Sequence, residues 1–457
     1  MRMTGGLFKG LLRKFFTPPG AGQGCRPTVL HLTGTGLTSF LLFGGSFLYT
    51  DGAVSGAEKF MQTAPTSSGS IAEVAAFNEV TSIMERGVED GVFPGAVLLI
   101  GVDGRVALHR SFGNRFTTSG RNGPQFEGPA GMQPDTVFDV AALTNIVVTT
   151  TLIMKLVEAQ QLRLEDRVSR YLAGFGVHGK SAITVGLLLA HAAGLPAWIP
   201  FFEDLVRQNA GARMGILTSR GARQFVFNTI NRAPLKHEPG TRQLYSDPGF
   251  MLLGHLIEEL TGVPLDRAAQ RLIFQPLGMK STSYIDLSMI KRRGIHPVTD
   301  LIAPTEECSW RKRVLCGEVH DDNAWAMGGI AGHSGVFTTA ADLHRFAVEM
   351  LKAWQGHSSF LDAATVRNFW QGLSEPLDGS WRYGWDSPGE ENEMRESGLS
   401  SEAVGESGFT GCSLWLEPAR GIDIILMSNR VHPSRNNRKI RAFRPVLHAA
   451  VMQALRP

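Results

Sequence analysis

Two strand pairs stand at opposite ends of the chain, and no other feature constrains its fold as much. Near the start, residues 96–102 and 105–110 are apolar runs joined by Asp103-Gly104. An Asp-Gly pair accepts the two positive φ values of the tight turn whose twist suits flanking strands, so this stretch predicts a hairpin. Near the end, residues 413–416 and 422–427 flank residues 417–421 and predict a second. Between them, residues 146–159, 185–190 and 249–260 read as helices separated by Gly/Pro loops, while residues 71–90 and 440–455 read as a first and a closing helix. Strands from both chain ends around a helical middle make an α+β arrangement: an antiparallel sheet flanked by helices, with a mostly helical middle subdomain.

Composition narrows the function. With 457 residues, 43% of them hydrophobic and 19% charged, the chain has ordinary globular usage and length enough for a large core. Its 45 basic and 42 acidic residues are too evenly balanced for a nucleic-acid surface, and no nucleic-acid partner is expected. Part of the small excess lies in Arg2, Lys9, Arg13, Lys14 and Arg26, ahead of an apolar stretch at residues 28–50. Basic then apolar is the order of an export signal or membrane anchor. The expected organisation is therefore a basic region at 1–27, the signal or anchor at 28–50, a linker at 51–70 and a folded domain at 71–457. The domain is expected outside the cytoplasm, anchored to the inner membrane facing outward or free in the periplasm or medium, with a cytoplasmic location as the alternative. Four cysteines without C-x-x-C spacing exclude a disulfide scaffold; Cys308 and Cys316 either close one loop or remain thiols.

Several phrases occur in a telling order. They are Phe93-Pro94-Gly95-Ala96, Thr136-Val137-Phe138-Asp139-Val140-Ala141, Leu188-Leu189-Ala190-His191 and Tyr245-Ser246-Asp247-Pro248-Gly249-Phe250. Pro276-Leu277-Gly278-Met279, the run from His320-Asp321-Asp322-Asn323 to His333-Ser334-Gly335, and Phe409-Thr410-Gly411-Cys412 follow. Together they resemble the serine β-lactamase-like family of penicillin-binding D,D-peptidases, class C β-lactamases, esterases and muropeptide amidases, over about residues 71–457. The resemblance implies the fold just described and a site built from three elements.

Each element bears on the chemistry. The first is S-x-x-K, whose spacing of three puts a hydroxyl and an amine on one helical face. In the register set by Phe138 it reads Ala142-Leu143-Thr144-Asn145. An alanine forms no acyl-enzyme, and a neutral amide accepts no proton at physiological pH. The second element survives as Tyr245-Ser246-Asp247; without a lysine cation, Tyr245 is expected near its reference pKa of ~10, as a donor rather than a base. The third, a His-Thr-Gly or Lys-Thr-Gly triad on an edge strand, reads Glu406-Ser407-Gly408, and a Glu406 carboxylate is expected to repel the acidic group that His or Lys attracts. An oxyanion hole of the backbone N–H groups of Ala142 and Phe409 is implied to remain.

Other strings carry less. Ser288-Met289-Ile290-Lys291 and Ser309-Trp310-Arg311-Lys312 do not follow the Phe138-Asp139 phrase. Ser246, Thr144 and Ser407 are the replacement nucleophiles to consider, each read as a structural hydrogen-bonding group. No G-x-S-x-G elbow is present. His320-Asp321-Asp322 reads as a hydrogen-bonded loop, since neighbouring residues diverge and no second His or Cys stands at ligand spacing; no metal and no cofactor are expected. The glutamates at 390, 391, 393, 396 and 402 read as a solvated loop. The chain is thus read as a pseudoenzyme that binds a small-molecule or protein ligand in a former active site, through Tyr245 and Phe409 among others. The alternative is a serine hydrolase of the same family with an unrecognised nucleophile.

Overall fold

The structure is a computed structural model that describes residues 77–116, 130–211, 215–375, 377–389 and 392–456. Residues 1–27, 28–50 and 51–70, and the start of the first helix at 71–76, lie outside the described residues. Among the described residues, no helix is long and apolar enough to cross a membrane.

Both predicted hairpins form, and they join. Helix α1 (Asn78–Glu89) leads into β1 (Gly95–Val102) and β2 (Arg105–Gly113); the middle contains α2 (Thr151–Glu158), α3 (Asp247–Thr261) and α4 (Ala340–Gln355); β3 (Val404–Ser407), β4 (Ser413–Glu417), β5 (Ile422–Ser428) and α5 (Ile440–Ala454) close the chain. The sheet order is β2-β1-β5-β4-β3 and every pairing is antiparallel, with β1 from one chain end seated against β5 from the other. Alternation along β1 explains its unbroken apolar sequence. Ala96, Leu98 and Ile100 pack with Val80 and Met84 of α1 and Leu447 and Val451 of α5, whereas Val97 and Leu99 belong to the larger core that holds Leu343 and Phe346 of α4. Strands covered on both faces read as continuous hydrophobic runs. The architecture is the expected α+β one.

A second, three-stranded sheet pairs Phe138–Asp139 with Val336–Thr338, and the latter with Ser283–Tyr284. It ties the turn before α2 to the segment before α4. Cys308 and Cys316 are both free thiols, which decides between the two readings of that pair.

Candidate active-site cleft

The turn from Asp139 to Asn145 is held from three sides. The buried Asp139 accepts hydrogen bonds from Ala141 N through Oδ1 (2.9 Å) and from His320 N through Oδ2 (2.7 Å), and its carbonyl accepts from Thr410 Oγ1 (2.7 Å). This clamp keeps Ala141 at φ +47°, a left-handed conformation that costs a non-glycine residue about 1–2 kcal/mol. The result presents residue 142 to a cleft at the start of the buried, π-helical segment Asn145–Thr150 that runs into α2. The strained turn is thus intact, but it presents an alanine methyl.

Asn145 is fully buried, and its Nδ2 donates to the Tyr245 hydroxyl oxygen at 3.3 Å. Tyr245 is positioned by His191, whose ring lies 4.5 Å from that of Tyr245 and whose Nδ1 accepts from Ser246 N (3.0 Å). Burial pushes the His191 imidazole down to about 3, so it is neutral. Tyr245 does not sit near its reference pKa. Burial, followed by the negative charge of Asp247, holds it well above 10, so its hydroxyl stays protonated and can donate.

Gly405, Glu406 and Ser407 lie on the edge strand β3 as expected, but Glu406 is not the repelling carboxylate that its sequence position suggested. It is 3% exposed, and burial, reinforced by Asp386, pushes its carboxyl well above the carboxylate range. Its Oε1 accepts from Ser407 N at 2.9 Å, while its Oε2 is buried without a hydrogen-bond partner among the described residues. Burial thus favours the neutral form of Glu406, since a lone ion is costly to bury. Gly408 follows where a Cβ would meet Val140 O at 2.5 Å, so only glycine lets the strand end approach the Ala142 turn so closely.

Of the three candidate replacement nucleophiles, Ser246 and Thr144 make structural hydrogen bonds and Ser407 does not. Ser246 is 4% exposed, caps α3 by accepting from Gly249 N (3.3 Å) and donates to Pro196 O (2.8 Å). Thr144 is fully buried and accepts from Val336 N. Ser407 Oγ is buried without a partner among the described residues. Of the two S-x-x-K strings, Ser288 bonds Asp286 and Lys291 bonds Leu217 O, and neither Ser288, Lys291, Ser309 nor Lys312 lines the cleft. Lys291 instead borders a larger cavity of about 680 Å³ that shares only Trp325 with the matched phrases. Of the acidic run, residues 390 and 391 lie outside the described residues and Glu393 pairs with Arg444 at 2.7 Å.

One arrangement escaped the sequence reading. Asp247, Asp321 and His333 offer ligand-type atoms that all lie within 4.8 Å of one another. The second histidine judged absent from ligand spacing is supplied by the chain's return after Ala331. There Gly332 packs so tightly on α3 that a Cβ would meet Phe250 O at 2.1 Å, and this contact brings His333 to Asp321 at 3.0 Å. Burial raises Asp247; for Asp321 it is overcome by the attraction and hydrogen bond of His333, which hold that carboxyl down, and the same pair holds His333 up. The rest of the loop is the hydrogen-bonded structure expected: His320 contacts Glu306 (3.2 Å), and Asp322 takes Arg311 (2.6 Å) and Arg435 (3.0 Å). Asp321 and His333 stand 12 residues apart and Asp247 lies 74 before the first of them, a spacing that leaves no local signal; the His-Asp and His-Ser-Gly phrases were its only trace.

These groups line one cleft of about 380 Å³, with Ala142, Tyr245, Asp247, Asp321, His333 and Phe409 on its walls. Neither Ala142 N nor Phe409 N donates to a described residue, so the two N–H groups of an oxyanion hole remain available. Residues 80–446 match the family model described as Beta-lactamase. The chain belongs to the beta-lactamase family. It is 31% identical over 385 residues to an N-acetylmuramyl-L-alanine amidase of Bacillus subtilis, covering 79% of this chain and 83% of the relative. It is 29% identical over 391 residues to an Escherichia coli protein named provisionally as a D-alanyl-D-alanine carboxypeptidase, covering 80% and 86%. Among solved structures, the octameric penicillin-binding protein homologue from Pyrococcus abyssi superposes with a TM-score of 0.59 at 20% identity, covering 80% of this chain and 75% of the other, a likeness of fold. The mixed helix and antiparallel sheet is thus this family's fold.

Proposed function

We propose that this beta-lactamase family member is a non-catalytic binding or scaffolding protein that holds its ligand in the former active-site cleft without acylating it. The carrying observation is the Ala142 methyl at the apex of a turn that still spends strain to present it. Two further features support the reading. The base position is a neutral Asn145 amide that donates to Tyr245, and an amide accepts no proton at neutral pH. The free N–H groups of Ala142 and Phe409 suit a carbonyl or carboxylate oxygen, and Trp198 (49% exposed) and Phe409 (50% exposed) offer apolar faces at the cleft. By the names of its relatives, the ligand is a cell-wall-derived molecule carrying an N-acetylmuramyl-L-alanine or D-alanyl-D-alanine unit, and the protein acts outside the cytoplasm, delivered by residues 28–50.

Intact-protein mass spectrometry after exposure to a β-lactam and to a fluorophosphonate tests this: no stoichiometric adduct is expected from either. A second reading, a serine hydrolase with a displaced nucleophile, is favoured by one observation. Ser334 lines the cleft beside His333, and its buried hydroxyl has no described partner. An adduct that vanished in Ser334→Ala would establish that reading and sink the first.

A further inference from the structure

We propose that Asp247, Asp321 and His333 form a binding site for a divalent cation of the Zn²⁺ class, which supplies the cleft with a positive charge and an open coordination position for a ligand oxygen. Two carboxylates and an imidazole are a zinc ligand set, and three protein ligands with a vacant fourth position distinguish a site open to substrate or water from a closed structural one. The three ligand atoms already lie within 4.8 Å of one another. Ligands about 2.1 Å from a tetrahedral ion stand about 3.4 Å apart. The most distant pair needs to close by at most about 1.4 Å, and Asp321 and His333 are at 3.0 Å already.

The hydrogen bonds leave room for an ion. Asp321 Oδ1 accepts from Ala324 N (2.7 Å) and faces His333 Nε2, whereas its Oδ2 accepts from no described residue. The His333 ring is 2% exposed, its one polar contact lies within the cluster, and its Nδ1 has no described partner. The Asp247 carboxyl has the Tyr245 hydroxyl as its one hydrogen-bond partner among the described residues, while its backbone N–H donates to Ala197 O (3.1 Å). Tyr245 in turn accepts from Asn145, so the cluster is joined through one side chain to the position where the family's lysine is replaced. A cation here would compensate two half-buried acids gathered around a buried imidazole. It would also face the unpaired N–H groups of Ala142 and Phe409 across the same cleft, which fits a ligand carboxylate or carbonyl bridging them. This site stands whether or not the cleft acylates.

The test is calorimetric titration of Zn²⁺ into the purified full chain after chelator treatment and removal of the chelator. One ion per chain is expected, with Asp247→Asn and His333→Gln each weakening the association by about tenfold or more, and His296→Gln, at a position outside the cluster, leaving it unchanged. Absence of stoichiometric binding, or binding equal in all four proteins, overturns the proposal. Should either variant fail to fold, anomalous diffraction at the zinc edge from wild-type crystals decides instead. A peak between Asp247, Asp321 and His333 supports the site and a peak elsewhere removes it. Neither readout depends on an acyl adduct, so the site and the non-catalytic reading can fail separately.

Discussion

At the scale of single residues, the position of the base is occupied by an uncharged amide. Asn145 donates to the Tyr245 hydroxyl, and burial pushes both the Tyr245 phenol and the nearby Glu406 carboxyl toward their neutral forms. Reversal therefore needs more than a hydroxyl. Ala142→Ser alone is expected to form no penicilloyl adduct, because a serine with its normal high pKa is a poor nucleophile. Adding Asn145→Lys is expected to gain little, since the new ammonium would ionise Glu406 beside it and be neutralised by it. Ala142→Ser with Asn145→Lys and Glu406→His is expected to acylate slowly, faster than the single variant by about 10²-fold, the lower range of a positioned base. Intact mass against time of β-lactam exposure measures this. Acylation by Ala142→Ser alone would reveal a base elsewhere in the cleft, and a folded but inert triple variant would show that its shape has changed beyond these side chains.

At the scale of elements, helix starts place the site. Ser246, Thr339 and Asp321 each cap a helix, and each cap aims a neighbouring residue at the cleft or at the segment that frames it. For α3, Ser246 satisfies Gly249 N while Pro248 fits the first turn, where its missing N–H costs nothing. Ser246→Ala is expected to lower unfolding free energy by about 1–2 kcal/mol, the usual value of an N-cap, with unchanged behaviour toward fluorophosphonate. A denaturant titration checks the first and mass spectrometry the second; an adduct lost in the variant would make Ser246 a nucleophile after all. The same capping logic was available for α4, whose start is written in Thr339-Ala340-Ala341-Asp342 with Thr339 accepting from Asp342 N. That helix is absent from the sequence reading, as are Phe201–Gly211 and Arg220–Arg232, although all three carry amphipathic patterns.

At the scale of the whole molecule, ion pairs bind the loop around His320 to the chain's last segment. Glu306 meets His320 at 3.2 Å and Arg435 at 2.5 Å, and Arg435 also meets Asp322 at 3.0 Å. Burial alone would raise the Glu306 carboxyl, but the bonds from His320 and Arg435 outweigh it and hold the group down at about 2, against 4.5 unperturbed. A carboxyl that is more acidic in the folded state stabilises it fully above the unfolded pKa and loses that contribution as pH falls through the folded one. Stability is therefore expected to fall between about pH 4.5 and 2. Glu306→Gln is expected to be less stable than the parent at pH 7, flatter across that window, and to converge with it near pH 2. Thermal melts at stepped pH measure both curves; parallel curves would show that Glu306 is unlinked to folding.

What the sequence by itself determined is what short-range chemistry writes locally. Asp103-Gly104 specified a turn, the apolar runs beside it specified strands, and the Phe138 phrase set the register in which Ala142 and Asn145 occupy their positions. Identity at those two positions was legible because it needs no geometry. The tertiary structure alone decided which charges exist and which distant groups meet. Glu406 reads as an anion until its burial is known, because ionisation depends on surrounding solvent and charge rather than on residue type. Asp247, Asp321 and His333 read as three unrelated residues until the Gly332 contact with α3 folds the last of them back, because a cluster assembled from three segments has no period or spacing along the chain.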